Sequence, residues 1–450
     1  MRQMQPMLIA LGLWLFTAGA AAQVLPTKPE VTHLKNGLTV VMVPWDSPGM
    51  VAYYHLVRTG SRDETEKGHT GFAHLFEHVM FRGTDRFPKE VYEAKIQEFG
   101  ADNNAFTWFN LTCYTVVVPN EVLPDLIEIE ADRFQNLKFS EEHFKTETGA
   151  VLGEYNMNAS NPGLLMEEKL LETAFKKHTY GHTTMGYLDD VKAMPKYYDY
   201  AKKFHRWYYT PDNVTVIVIG DFNAESTLKK IEAEYGNWKG KRRKTRAKKE
   251  PEQREARSVH VPWKGPTSPK MTLAYKIPVF STTGSDSAAL EVIAQLVFGE
   301  SSPLYRKLVI EDQKVLGLRA SHGIFSPPSP DPFLFQVDVT LKEGTTFDEI
   351  QEEVTRALIE VADGKIPAER IEAVKSHSRY EFLLGLETPK DVAAALAMLM
   401  SATGDPGSID AFGKALAEVS PEDVVKAAKL YLTEKRRTVV TMASEKGGAK

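Results

Sequence analysis

The chain has 450 residues, 42% hydrophobic and 26% charged: an ordinary globular composition over a length too great for one compact core, so two or more domains are expected. A formal net charge of -5 excludes an overall basic field, and with it any compositional ground for nucleic acid as a partner. The lone cysteine, Cys113, excludes an intramolecular disulfide, so stability has to come from core burial.

The chain opens with Arg2, an apolar run from Met7 to Phe16 and the small residues Ala18 to Ala22 before Gln23, the pattern of a secretory signal peptide over residues 1–22. The run is well short of the roughly 20 residues that span a bilayer, so a stable membrane anchor is not expected. Cys113 lies too far from the cleavage site to carry a lipid. A soluble, exported, periplasmic protein is the expectation.

Alternating apolar residues predict strands over 37–44, 51–57, 112–118 and 214–219. Helical periodicity covers 71–81, 88–99, 123–137, 140–156 and 195–208. The pattern stops at the basic run Lys241 to Lys249 and Pro251, which reads as a solvated linker over 241–257. Beyond it the first half repeats. Residues 68–83 match 284–299 without a gap, Phe139 to Phe144 resembles Ile366 to Ile371, and Asn161-Pro162 is echoed by Thr388-Pro389. The helix and strand at 195–219 return at 420–442. The expected fold class is α+β: two homologous domains of mixed sheet packed with helices, at 23–240 and 258–450.

Chemistry concentrates in His74-Leu-Phe-Glu77-His78. On a helix, two histidines four apart stand on one face and can share a Zn²⁺, while Glu77 sits on the adjoining edge as a general base outside the ligand set. Two polar residues on a helix more often make ordinary hydrogen bonds, so a third ligand is needed to decide. Glu147 and Glu154, seven apart, share a face of a later helix whose Ala150, Val151 and Leu152 suggest packing into the domain, where an unpaired carboxylate is expensive.

The run His74-Leu-Phe-Glu77-His78-Val-Met-Phe-Arg-Gly-Thr84, with 75 residues between His78 and Glu154, resembles the pitrilysin (inverzincin) family of zinc metallopeptidases, which includes mitochondrial processing peptidase and insulin-degrading enzyme. Similarity extends to Tyr209-Thr-Pro-Asp-Asn213 and covers essentially the whole mature chain. The resemblance implies a zinc-dependent endopeptidase subunit with one Zn²⁺ per chain held by His74, His78 and Glu154, with Glu147 supporting the site from behind. It further implies half of a clamshell chamber that admits peptides or unfolded segments. Ala101 to Thr107 resembles the family's edge strand, which makes Asn104, Ala105 and Phe106 candidates for gripping substrate.

Opposite His74, Glu77 and His78 the repeat has Leu290, Ile293 and Ala294, and Glu381 falls opposite Glu154. The second domain therefore lacks the zinc motif and is expected to close the chamber and offer an assembly surface. Active relatives carry an arginine, and seven residues later a tyrosine, after the segment resembling Ser301 to Leu308; here those positions read Val309 and Leu316, and Arg306 and Arg319 have the wrong spacing to replace them. The resemblance thus implies a heterodimer in which a homologous subunit supplies the Arg/Tyr pair. Two other readings compete. One is a non-catalytic or structural subunit, against which the intact motif argues. The other is a structural zinc site, which would be expected to carry four thiolate-rich ligands.

Overall fold

The computed structural model describes residues 24–25, 27–321 and 328–445; the expected signal peptide lies outside the described residues. Six strands form the first sheet: β1 (Glu30–His33), β2 (Thr39–Pro44), β3 (Met50–Val57), β4 (Asp102–Thr107), β5 (Thr112–Pro119) and β6 (Val214–Gly220), in the order β1-β2-β6-β3-β5-β4. The second sheet holds β7 (Arg257–Trp263), β8 (Lys270–Lys276), β9 (Val315–Ser321), β10 (Leu334–Leu341) and β11 (Arg437–Ser444), in the order β7-β11-β8-β10-β9. Without β1 the two orders superpose, down to one parallel pair in each, β2 with β6 and β7 with β11. The fold is α+β with mixed sheets, and its internal repeat is the one the sequence displays.

Helices α1 (Phe72–Val79), α2 (Lys89–Glu98), α3 (Leu123–Asn136), α4 (Glu141–Ala159), α5 (Pro162–Ala174), α6 (Leu188–Ala193), α7 (Tyr198–Tyr208) and α8 (Ala224–Tyr235) accompany the first sheet in sequence. Those of the second half are α9 (Asp286–Phe298), α10 (Pro303–Tyr305, continued by a π-helical stretch Arg306–Glu311), α11 (Phe347–Ala362), α12 (Ala368–Leu384), α13 (Pro389–Thr403), α14 (Ser408–Glu418) and α15 (Pro421–Tyr431).

Strand periodicity of two divides the first sheet between two cores. Val40, Met42, Val51, Tyr53, Val216 and Val218 face α1, α3 and α7. Val41, Val43, Ala52, Tyr54, Ile217 and Ile219 face the other way and join a core built largely by the second half. Helix α13, from the second half, packs on β3 and β6; reciprocally, α5 from the first half packs on β7, β11 and β8. Both exchanged helices begin with a side-chain cap followed by proline, Asn161-Pro162 and Thr388-Pro389, a pairing that starts a helix cleanly after a change of direction. The boundary at 241–257 therefore separates two sheets while burial crosses it.

The linker, most of whose residues are exposed, is anchored to the first half at several points. Arg242 pairs with Asp63 at 3.3 Å, Arg243 pairs with Glu66 at 2.7 Å and lies 4.0 Å from the Trp207 ring centroid, and Glu250 accepts the backbone N–H groups of Lys176, Lys177 and His178 at 2.8–3.0 Å. Carboxylates and an aromatic face on the first half hold what composition alone marks as a free charge run.

At the seam, Lys276 ends β8 with its Nζ buried, without a hydrogen-bond partner, 3.0 Å from the Phe175 ring centroid. Burial pushes this ammonium down to about 7, partly opposed by Glu250. From there up to the ordinary value of 10.5 the unfolded chain holds a proton that the folded chain has released, so the residue opposes folding in full below pH 7 and progressively less above it. Lys276→Met should therefore stabilise the protein by about 1–4 kcal/mol at pH 7. Denaturant melts at several pH values should show the gain shrinking toward pH 10; a gain independent of pH would contradict the assignment.

Candidate metal centre

Helix α1 is placed by contacts distant in sequence. Gly71 precedes it at φ 87°, a left-handed conformation suited to glycine, and a Cβ there would meet the Met185 carbonyl at 2.7 Å. Gly71 cannot cap the helix with a side chain. The buried Glu64 carboxyl does so instead, accepting the Gly71 N–H at 2.8 Å and the Ala73 N–H at 2.7 Å, an acidic group at the positive end of the helix. Burial pushes this carboxyl up to about 8, against the lowering effect of its two backbone donors. Phe72, Leu75, Phe76 and Val79 face the sheet, and the Tyr114 hydroxyl, 2.6 Å from that of Tyr209, donates to the Phe76 carbonyl at 2.9 Å. Fixing that stripe leaves His74, Glu77 and His78 on the opposite edge.

Helix α4 lies against α1. Ser140 caps it, and the stripe Phe144, Thr148, Val151 and Tyr155 is buried, which puts Glu147 and Glu154 on the flank toward α1. Glu154 Oε2 is 3.5 Å from His74 Nε2 and 3.4 Å from His78 Nε2. With metal–ligand bonds of about 2.0–2.1 Å at tetrahedral angles, ligand atoms stand about 3.4 Å apart, so these spacings fit zinc. The ligand atoms of the three residues all lie within 4.8 Å of one another, and among the described residues this is the one such group of three. Burial, reinforced by His78, pushes His74 down to about 4, so its imidazole is neutral near pH 7 with a lone pair to offer. Glu147 places one oxygen 3.7 Å from His78 Nδ1 and binds Arg82 through the other, behind the histidine rather than beside the third ligand atom.

Glu77 is mostly buried next to this group. The Thr107 hydroxyl donates to Glu77 Oε2 at 2.7 Å, which orients the carboxyl and leaves Oε1 free of that contact; burial raises the pKa of the group. Thr107 closes β4, the edge strand of the first sheet, which carries all three candidate substrate-contacting residues. Their side chains differ: Asn104 is exposed, Ala105 is buried, and Phe106 is half-buried against the shared core. Ala105 can therefore meet a ligand only through its backbone, and its N–H is held at 2.9 Å by the Asn104 side-chain oxygen, which a pairing peptide would displace.

Thr107 and Glu64 both escape a reading of the motif. Thr107 ends the singled-out segment 101–107, but its partner lies thirty residues away. Glu64 belongs to a short 3₁₀ turn region whose role as a cap appears only in three dimensions. In the second half, Leu290, Ile293 and Ala294 are buried apolar residues of α9. Glu381 is bound by His377 at 3.2 Å within α12, His377 exposed and Glu381 half-buried. Val309 packs partly buried against the core, and Leu316 is 59% exposed on β9.

Residues 46–187 match the family described as Insulinase (Peptidase family M16), and residues 198–377 match Peptidase M16 inactive domain. A zinc protease, PqqE, of Helicobacter pylori is 29% identical over 95% of this chain and 96% of its own. The bovine (Bos taurus) mitochondrial-processing peptidase subunit beta is 34% identical over 39% of this chain and 36% of its own. Among solved structures, a protease from Helicobacter pylori superposes with a TM-score of 0.86 at 26% identity, covering 92% of this chain and 99% of that one. The periplasmic protease PqqL from Escherichia coli gives 0.75 at 19% identity; 92% of this chain matches 47% of that one, so the chain has the fold of half of it.

Because Glu64 caps the first turn of the helix that carries His74, Glu64→Gln should replace one acceptor with a donor facing a backbone N–H. That loss is worth about 1–3 kcal/mol. A lower melting temperature together with weaker zinc binding in a competitive chelator titration is the expected result; unchanged values of both would contradict the capping role.

Proposed function

The chain belongs to the M16 (insulinase/pitrilysin) peptidase family, and we propose that it is the zinc-binding, catalytic subunit of an exported endopeptidase. The observation that carries this reading is the juxtaposition of His74, His78 and Glu154 with a Glu77 already oriented by Thr107. Two imidazoles and a carboxylate are a donor set of catalytic zinc, and three protein ligands leave a position for chemistry. Zinc bound there would supply Lewis-acid polarisation of a carbonyl and acidify a water molecule toward neutral pH. Glu77 Oε1 takes the proton from the attacking water and returns it to the departing amine, while Thr107 keeps the carboxyl aimed. His78 is steadied from behind by Glu147. The free edge of β4 pairs with an extended peptide backbone, which selects for unfolded segments over folded proteins and asks little of side-chain identity.

Two further parts of the reading concern assembly and location. Val309 and Leu316 offer no hydrogen-bond donor where relatives place an arginine and a tyrosine, and this fold occupies only half of the PqqL chain. A second, homologous subunit that contributes the missing donors accounts for both facts. The leader-like residues 1–22 and the periplasmic PqqL support export. No helix among the described residues is long and apolar enough to cross a membrane.

Two experiments test this reading. Glu77→Gln should retain one zinc per chain by metal analysis while losing a factor of about 10²–10⁴ in peptide hydrolysis. His74→Ala should lose the metal itself, and a chelator should abolish activity that added zinc restores. An empty site in Glu77→Gln would contradict the division of roles; a zinc-loaded chain inert in every assembly would favour a non-catalytic subunit. Separately, the purified chain should hydrolyse peptides poorly, and adding the homologous subunit should raise the rate by about 10²–10³. Full activity from the chain alone, or a partner whose effect survives loss of its arginine and tyrosine, would contradict the shared site.

A further inference from the structure

The start of the described chain is seated on the second half. The Val24 and Leu25 N–H groups both donate to Asp410 Oδ1 of α14, at 2.7 and 3.2 Å, across 386 and 385 residues of sequence. Leu25 is 1% exposed in the core that the second half largely builds, and Val24 packs half-buried against that core. The Thr27 hydroxyl then donates to the Pro44 carbonyl at the end of β2, so the chain passes from α14 to the first sheet between Val24 and Thr27. These residues bridge the halves independently of the exchanged helices α5 and α13.

Gly413 is an independent sign that α14 is shaped for this segment. It stands inside a helix of 11 residues, where glycine is weaker than alanine. A Cβ at this position would come within 2.4 Å of Val24 Cγ2 and 3.2 Å of Phe382 Cε1, so the missing methyl group is the room in which Val24 sits. Asp410, half-buried in the first turn of the same helix, uses only Oδ1 for the two N–H groups; among the described residues its Oδ2 has no partner.

We propose that α14 carries a seat for the processed N-terminus, and that removal of the leader completes it: the new α-ammonium of Gln23 pairs with Asp410, and residues 23–25 become a clasp between the halves. Hydrolysis of the Ala22–Gln23 bond leaves a carboxylate on the leader and an amine on Gln23 that takes up a proton. Gln23 lies outside the described residues, but one residue spans at most about 3.6 Å, which keeps its nitrogen within about 6 Å of the Asp410 carboxylate. Before hydrolysis that nitrogen is a neutral amide; afterwards it is a cation beside an anion. Val24 and Leu25 are present in the precursor too, so processing strengthens the clasp by adding the charge, at the stage when the exported chain has to hold its halves together. The effect of processing rests on the reading of residues 1–22 as a cleaved leader; the seat for Val24 and Leu25 does not.

The test compares the mature chain, starting at Gln23 with mass spectrometry confirming that this glutamine has not cyclised, with the same chain keeping residues 20–22 ahead of it. Each is made with Asp410 and with Asp410→Asn, which keeps an acceptor oxygen and loses the charge. Hydrogen exchange over residues 23–34 reads release of the segment, and the melting temperature checks that all four chains fold. The mature chain should exchange about tenfold more slowly there than the extended one, an advantage that Asp410→Asn removes. Gly413→Ala should speed exchange in the mature chain, and adding Val24→Ala, which clears the methyl group from the seat, should recover part of the loss. Equal exchange with and without residues 20–22, or an Asp410→Asn effect of the same size in both, overturns the role of processing. Exchange in the mature chain as fast as in an unstructured peptide, or no effect of Gly413→Ala, overturns the seat. None of these readouts needs zinc or hydrolysis, so a failure of the catalytic reading leaves the test intact. N-terminal sequencing of the exported protein separates the remaining premise: a start other than Gln23 overturns the effect of processing, while the purified chains still measure the seat.

Discussion

The docking of α1 against the first sheet is the contact on which the rest of the site depends. The helix is only eight residues long, and isolated helices of that length do not persist in water. Its persistence comes from burial of Phe72, Leu75, Phe76 and Val79, from the Glu64 cap, and from the Tyr114 hydroxyl on the Phe76 carbonyl. Each of these fixes rotation about the helix axis as well as position along it. Once rotation is fixed, His74 and His78 face α4 by helical geometry alone, and Glu77 is turned toward β4 and Thr107. A slip of α1 by one residue would carry both histidines away from Glu154.

The repeat shows what the second half retains once that constraint is lifted. Helix α9 occupies the place of α1 and is apolar almost throughout, so it serves as a core helix where α1 serves as a bearer of polar groups. The exchange of α5 and α13 ties the halves more closely than a linker could, because each supplies part of the cover for the other's sheet. Arg62 reaches across to Asp331 at 2.5 Å, and Asp331 also meets His178 at 3.3 Å, so polar contacts join the halves at the same seam that buries Lys276. The two helices that carry the candidate ligands lie in one half and thus rest on a platform built by both.

What the sequence made legible was local or periodic. Two histidines four apart, a glutamate beside the second, and an acidic pair seven apart on a later helix carry their geometry in their spacing, so the ligand candidates and the face they share could be read directly. Strands β2, β3, β5 and β6 announced themselves through alternation and β-branched residues, and the sheet repeat followed from the matching segments. The short β1 was missed because four exposed or half-buried residues give no alternation to detect. Thr107, Glu64 and the exchanged helices were invisible for a different reason: each depends on a pairing between distant segments, and nothing in the local chain distinguishes a threonine that orients the Glu77 carboxyl from one that only ends a strand. The anchors of the basic linker were likewise hidden, since the carboxylates that hold it lie far back, at Asp63 and Glu66.

The central claim is that α1 and α4 together hold one zinc through three side chains and leave a position open. Crystals of the zinc-loaded full chain, with diffraction recorded on both sides of the zinc absorption edge, test it most directly. The account predicts one anomalous peak per chain, about 2.0–2.1 Å from a nitrogen of His74, a nitrogen of His78 and an oxygen of Glu154, with Glu77 and Glu147 outside bonding distance. A peak elsewhere, a fourth protein ligand closing the site, or zinc bound to Glu147 in place of Glu154 would contradict it.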